Sequence, residues 1–128
     1  MTQSKGQTAL QPVLEKLLGH QRLIIADAGA AYGLPAHLQM LASVSLLCLF
    51  EPHAQRAEEL RRLLGAEARV FQTALSRQGG ERTLYVTNVP TGASLLRPGS
   101  DAAFELAEHA YFFPVQEERI HTRRLEDV

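Results

Sequence analysis

Apolar positions along the chain follow two periods. Leu10, Val13, Leu14, Leu17 and Leu18 recur at helical spacing, which predicts a helix over residues 8–19 with Gly19 as its stop. Pro12 is expected in the first turn of that helix, where a missing N–H costs little. Leu23 to Ala26 is a short continuous apolar run, as in a parallel strand buried on both faces. A second helix is expected from Gly33 and Leu34, with Pro35 in its first turn and Leu34, Leu38, Leu41 and Ala42 as its buried stripe. Residues 45–50, SLLCLF, read as a second buried strand. Pro52 opens a third helix, with Ala57, Leu60, Leu63 and Leu64 facing inward and Glu58 pairing outward with Arg61 and Arg62. Gly65 ends that helix, and Arg69 to Leu75 is a third strand.

Helix and strand thus alternate through residue 75, which predicts an α/β fold with a Rossmann-like parallel sheet and right-handed crossovers. The pattern then changes. RQGGE, residues 77–81, signals a turn, and residues 82–87, RTLYVT, alternate polar and apolar as a half-exposed strand does. Residues 88–103 hold Pro90, Gly92, Pro98 and Gly99 and read as loop; residues 111–122 form one more strand, with Pro114 near its start or on an edge. These later strands are an antiparallel addition. The whole of 1–128 is expected to be one domain, with residues 1–22 as a helix leading into it.

Composition narrows the function. A net charge of −1 without a long basic run disfavours nucleic acid and anionic membranes as partners. Cys48 is the single cysteine, so no internal disulfide or cysteine-based metal cluster is expected, and a cytoplasmic location fits. Residues 1–6 are polar, without the apolar core of a signal peptide, and no apolar run approaches the ~20 residues of a membrane span. The five histidines lack metal-ligand spacing, and Ser94 has no His and Asp nearby to activate it, so no metal site or nucleophile is expected.

The stretch DAGAAYG, Asp27 to Gly33, carries the chemistry. It joins a strand to a helix, and its two glycines let the backbone turn sharply and approach a ligand. Ligands of open α/β sheets lie at the carboxyl ends of the strands. Glu51 ends the next strand, about 20 residues on, where a carboxylate can accept hydrogen bonds from ribose hydroxyls. Ala74 to Ser76, at the end of the third strand, would complete the rim beside an adenine. Neither G-x-G-x-x-G nor a phosphate-binding G-x-x-x-x-G-K-[ST] is present. An acid at the start of the loop repels a pyrophosphate and suits a nucleoside with a cationic centre. Asp27 with its glycines also suits an ordinary strand-to-helix turn. Glu51 before Pro52 also suits a helix N-terminus.

DAGAAYG resembles the D-x-G-x-x-x-G motif of S-adenosylmethionine-dependent methyltransferases, and the chain resembles more narrowly the FkbM-type methyltransferases. The resemblance runs from Leu23 to the last residue. It is carried in order by Asp27–Gly33, Phe50-Glu51-Pro52, Ala74-Leu75-Ser76, GGERTLYVT, Gly92-Ala93-Ser94-Leu95 and RRLEDV. It implies S-adenosylmethionine as cofactor and methyl transfer to oxygen on a small-molecule or sugar-like acceptor. It also implies that Asp27, Gly29, Ala30, Tyr32 and Gly33 line the methionine and ribose, that Glu51 holds the ribose hydroxyls with Pro52 beneath, and that Ala74, Leu75 and Ser76 lie near the adenine. Ala31 stands where the family has Asn, and Tyr32 where it has an aliphatic residue. Measured against the family, the chain corresponds to the N-terminal part of the catalytic domain, and the later strands and a catalytic base lie beyond it. An exposed strand edge is then expected, covered by a second copy, a partner or the missing half. Two rivals follow: a non-catalytic interaction module pairing through that edge, and a dinucleotide oxidoreductase, which the absent central glycine disfavours.

Overall fold

The structure is a computed structural model that describes residues 7–98 and 112–128. The polar start, the loop expected past Pro98 and Tyr111 of the expected last strand lie outside the described residues. The chain is α/β, with a three-stranded parallel sheet and a three-stranded mixed sheet. Its contacts group into two compact units, residues 1–72 and 73–128. No helix among the described residues is long and apolar enough to cross a membrane.

The first unit holds α1 (Gln7–Leu18), β1 (Leu23–Ala28), a 3-10 helix (Ala36–Val44), β2 (Ser45–Phe50), α2 (Ala54–Leu64) and β3 (Ala68–Phe71). The sheet order is β1-β2-β3, all parallel, with Ile25 opposite Leu47 and Asp27 opposite Leu49. Paired residues share a face, so Ile25, Leu47, Leu49, Ala68 and Val70 line one side. Ala30, Leu34, Leu38, Ala42, Leu60 and Leu64 pack over that side and form the core with them. On the opposite face Phe50 stacks on Phe71, ring centroids 5.0 Å apart.

Four expectations change in this unit. β1 is an edge strand whose burial alternates, with Ile24 72% exposed, so it is covered on one face and not on two. The second helix starts later and tighter than expected. Gly33 has φ +77°, and Pro35 is extended at ψ 145°, so only Ala36 onward can coil. In α2, Ala57 and Leu60 are buried while Leu63 is 76% exposed. At about 100° per residue, Leu63 lies off the stripe that Ala57, Leu60 and Leu64 share. Glu58 does pair with Arg61 and Arg62, at 3.6 and 3.2 Å. Finally, α1 begins at Gln7, which places Pro12 inside the helix, where it removes a backbone hydrogen bond. The expected stripe of α1 is only half covered: Leu14 and Leu18 are partly buried, whereas Leu10, Val13 and Leu17 are exposed.

The third expected strand divides at Gln72. Its first part is β3; its second, β4 (Ala74–Leu75), pairs in parallel with β6 (Pro114–Arg123) in the second unit. There β6 also pairs antiparallel with β5 (Gly80–Thr87), giving the order β4-β6-β5. Gly79 and Gly80 make the expected turn into β5 with positive φ. Two buried threonines, Thr73 and Thr122, stitch this sheet, and a third, Thr87, bonds locally at the end of β5. Thr122 Oγ1 lies 2.7 Å from Ser76 Oγ and donates to the Gly80 carbonyl, and Thr73 Oγ1 donates to the His121 carbonyl. Thr87 Oγ1 donates to the Val89 carbonyl.

Candidate functional site

The first unit brings Asp27, Gly29, Ala30, Tyr32, Gly33, Glu51 and Pro52 together at the carboxyl ends of β1 and β2. The cause is local. After Ala28 the chain turns at Gly29, φ +83°, and the N–H groups of Gly29 and Ala30 both donate to the Phe50 carbonyl, at 2.9 and 3.2 Å. The loop is thereby fastened to the residue before Glu51. Ala30 and Leu34 drop into the core on either side of Gly33, whose N–H returns to the Ala30 carbonyl at 2.8 Å. Gly33 sits against α2: a Cβ there would lie 3.6 Å from Leu60 Cδ2. Above Gly29 the space is open, with nothing within 4 Å of where its Cβ would stand.

The two acids differ in surroundings. Asp27 is half-buried, and its carboxylate makes no hydrogen bond or ion pair with another described residue. Glu51 is 5% exposed. Its N–H donates to the Phe71 carbonyl, and its Oε1 accepts the N–H of His53, the residue before α2, at 2.8 Å. Oε2 has no such partner, and among the described residues no buried side-chain polar atom is left both fully covered and unpaired, so Oε2 keeps some contact with solvent. Glu51 thus orders the turn into α2 with one oxygen and leaves the other as an acceptor. Asp27 and Glu51 put two carboxylates at the tips of neighbouring strands, a field that favours cations and hydroxyl donors and repels phosphates.

Tyr32 projects from the loop, 64% exposed, with the Arg56 guanidinium carbon 5.7 Å from its ring centroid. Arg56 in turn pairs with Glu59 at 2.9 Å. Arg56 was not among the expected residues. Its i, i+3 pairing with Glu59 is visible in sequence, but its contact with a loop 24 positions earlier needs the fold.

Ala74, Leu75 and Ser76 belong to the second unit. Ala74 and Leu75 are paired with Thr122 and Arg123 of β6. Ser76 Oγ is committed to Thr122 and to the Gly79 N–H, which gives it a role in the turn before β5. Gly92 and Ser94, quoted above for the resemblance, also have structural roles. Ser94 bridges to Tyr85 by two backbone bonds, and Gly92 lies where a Cβ would come within 2.4 Å of Thr87 Oγ1 and 2.6 Å of Phe112 Cδ1. Leu75, Ser76, Arg77, Arg124, Leu125 and Glu126 enclose an open hollow of about 420 Å³ in this unit. Its Arg124 is held by Asp127 at 2.9 Å and by Glu126 at 2.5 Å within the final 3-10 turn, Leu125–Asp127. The Asp127 hydrogen bond raises the Arg124 pKa, and Arg124 holds the Asp127 carboxyl below its ordinary range.

Among the described residues, no group of three or more His, Cys, Asp or Glu stands where it would hold a metal ion. Compared with family models, with curated proteins and with solved structures, the chain matches none of them.

Proposed function

We propose that the first unit binds S-adenosylmethionine and that the chain serves methyl transfer to oxygen on a small-molecule or sugar-like acceptor, as part of a Rossmann-like methyltransferase domain. The observation that carries this is the pair of carboxylates at the ends of β1 and β2, flanking a turn that is open above Gly29. These residues fit the cofactor's chemistry. Glu51 Oε2 is free to accept from ribose hydroxyls, and Asp27, without a partner, offers negative charge to the cationic methionine end. When bound, the cofactor supplies a methyl group made electrophilic by its sulfonium. The chain's own part is to hold and orient it: the Phe50 carbonyl fixes the loop, and the His53 N–H holds Glu51 Oε1. Pro52 leads from Glu51 towards α2.

Calorimetric titration of the chain with S-adenosylhomocysteine tests this. Micromolar binding that weakens about tenfold or more in Asp27→Asn or Glu51→Gln is expected, since hydrogen bonds to charged groups contribute about 1.5–3 kcal/mol. Absence of binding by the folded chain would remove the cofactor site.

A second function is supported by the free edge of β1. That strand has a hydrogen-bonded neighbour on one side only among the described residues, and Ile24 is exposed on it. Such an edge pairs readily with another chain, so the unit would act as an interaction module, self-associating or joined to a partner. Sizing in solution separates the two: a monomer at high concentration argues against the module.

A further inference from the structure

We infer that Arg56 is the positioning residue of the glycine loop, holding Tyr32 and through it the segment from Ala31 to Gly33. The inference concerns the site proposed above and rests on the cofactor function for its ligand arm alone. Each end of the loop is secured without Arg56. Gly29 and Ala30 are bonded to the Phe50 carbonyl, and Ala30 and Leu34 are buried in the core. Between those anchors, no backbone hydrogen bond among the described residues uses the N–H or carbonyl of Ala31 or Tyr32. Tyr32 is largely exposed, and its ring contact is the Arg56 guanidinium at 5.7 Å, inside the range of cation–π attraction.

Arg56 is suited to this. It stands in the first turn of α2, just past the His53 N–H that bonds to Glu51, and its guanidinium pairs with Glu59 at 2.9 Å. α2 also meets the loop at Leu60, beneath Gly33. The helix therefore touches the loop twice, at Gly33 from below and at Tyr32 from outside. A planar guanidinium stacks on a ring in a way that a lysine ammonium does not.

Amide hydrogen exchange on the full chain without ligand tests the clamp, with the Gly33 N–H bonded to Ala30 as reporter. Arg56→Ala should speed Gly33 exchange about two- to fivefold, the size of one exposed cation–π contact, while the amides of β2 keep their rates. Tyr32→Ala should match it, Arg56→Lys should fall between, and Tyr32→Phe should behave as the wild type. Unchanged Gly33 exchange in Arg56→Ala, or an equal increase throughout β2, would overturn the clamp. In a parallel titration with S-adenosylhomocysteine, Arg56→Ala should bind weaker by the same factor. Failure of the wild type to bind would remove the cofactor function, while the exchange rates still decide the clamp by themselves.

Discussion

Replacing Glu51 separates its two roles. Glu51→Ala removes the acceptor for the His53 N–H and the charge at the start of α2, from a position only 5% exposed. Loss of one hydrogen bond costs about 0.5–1.5 kcal/mol net, and loss of an anion at a helix N-terminus about 0.3–1 kcal/mol. The sum is about 1–2.5 kcal/mol. Glu51→Gln keeps an oxygen in the place of Oε1 and loses only the charge, so its cost is about 0.3–1 kcal/mol. Urea denaturation followed by far-UV circular dichroism reads both values, the difference appearing in the midpoint at constant slope. Thermal unfolding gives a second measure, about 4–8 °C per kcal/mol for a domain of this size. Two results would refute the reasoning: Glu51→Ala as stable as the wild type, or Glu51→Gln as unstable as Glu51→Ala. The first would mean that the bond to the His53 N–H is not stabilising, the second that the charge and not the acceptor matters.

Other outcomes follow from the same geometry. Gly92→Ala should destabilise the second unit by about 1–3 kcal/mol, since its Cβ would overlap Thr87 and Phe112, and a chemical melt of the purified variant reads it. Leu60→Ala should cost about 2–5 kcal/mol, whereas Leu63→Ala should stay within about 0.5 kcal/mol, reversing what equal inward placement would give. Asp127 has its folded pKa depressed by Arg124, so its tie to the last turn is fully present above the ordinary carboxylate range and is lost as pH falls through that depressed value. Carbon-detected NMR titration should find the Asp127 midpoint below that of an unstructured aspartate, and an ordinary midpoint would contradict the pairing.

The alternation of helix and strand through β3 was legible because each element carries its own period and its own stop. Gly65 after α2, the glycine pair before β5 and the charge pairs of Glu58 are local signals, and they hold in the structure. What depended on neighbours was not legible. Leu23 to Ala26 looks doubly buried, yet β1 is an edge, because burial of a strand depends on what lies across it. The apolar residues from Arg69 to Leu75 read as one strand, but pairing partners 48 positions away draw Ala74 and Leu75 into another sheet. At the site, Asp27, the glycines and Glu51 stood out from spacing alone. The bond of Glu51 to the His53 N–H, and the reach of Arg56 to Tyr32, came from backbone direction and helix phase, which no short motif encodes.

The central claim is that the carboxyl ends of β1 and β2 form a nucleoside site, and NMR titration of the full chain with S-adenosylhomocysteine tests it most directly. The prediction is that amide shifts concentrate in Asp27 to Gly33 and Glu51 to His53, and that Glu51→Gln reduces them at equal ligand. Shifts gathered instead around the hollow of Arg77, Arg124 and Glu126, or no shifts in a well-folded chain, would contradict it.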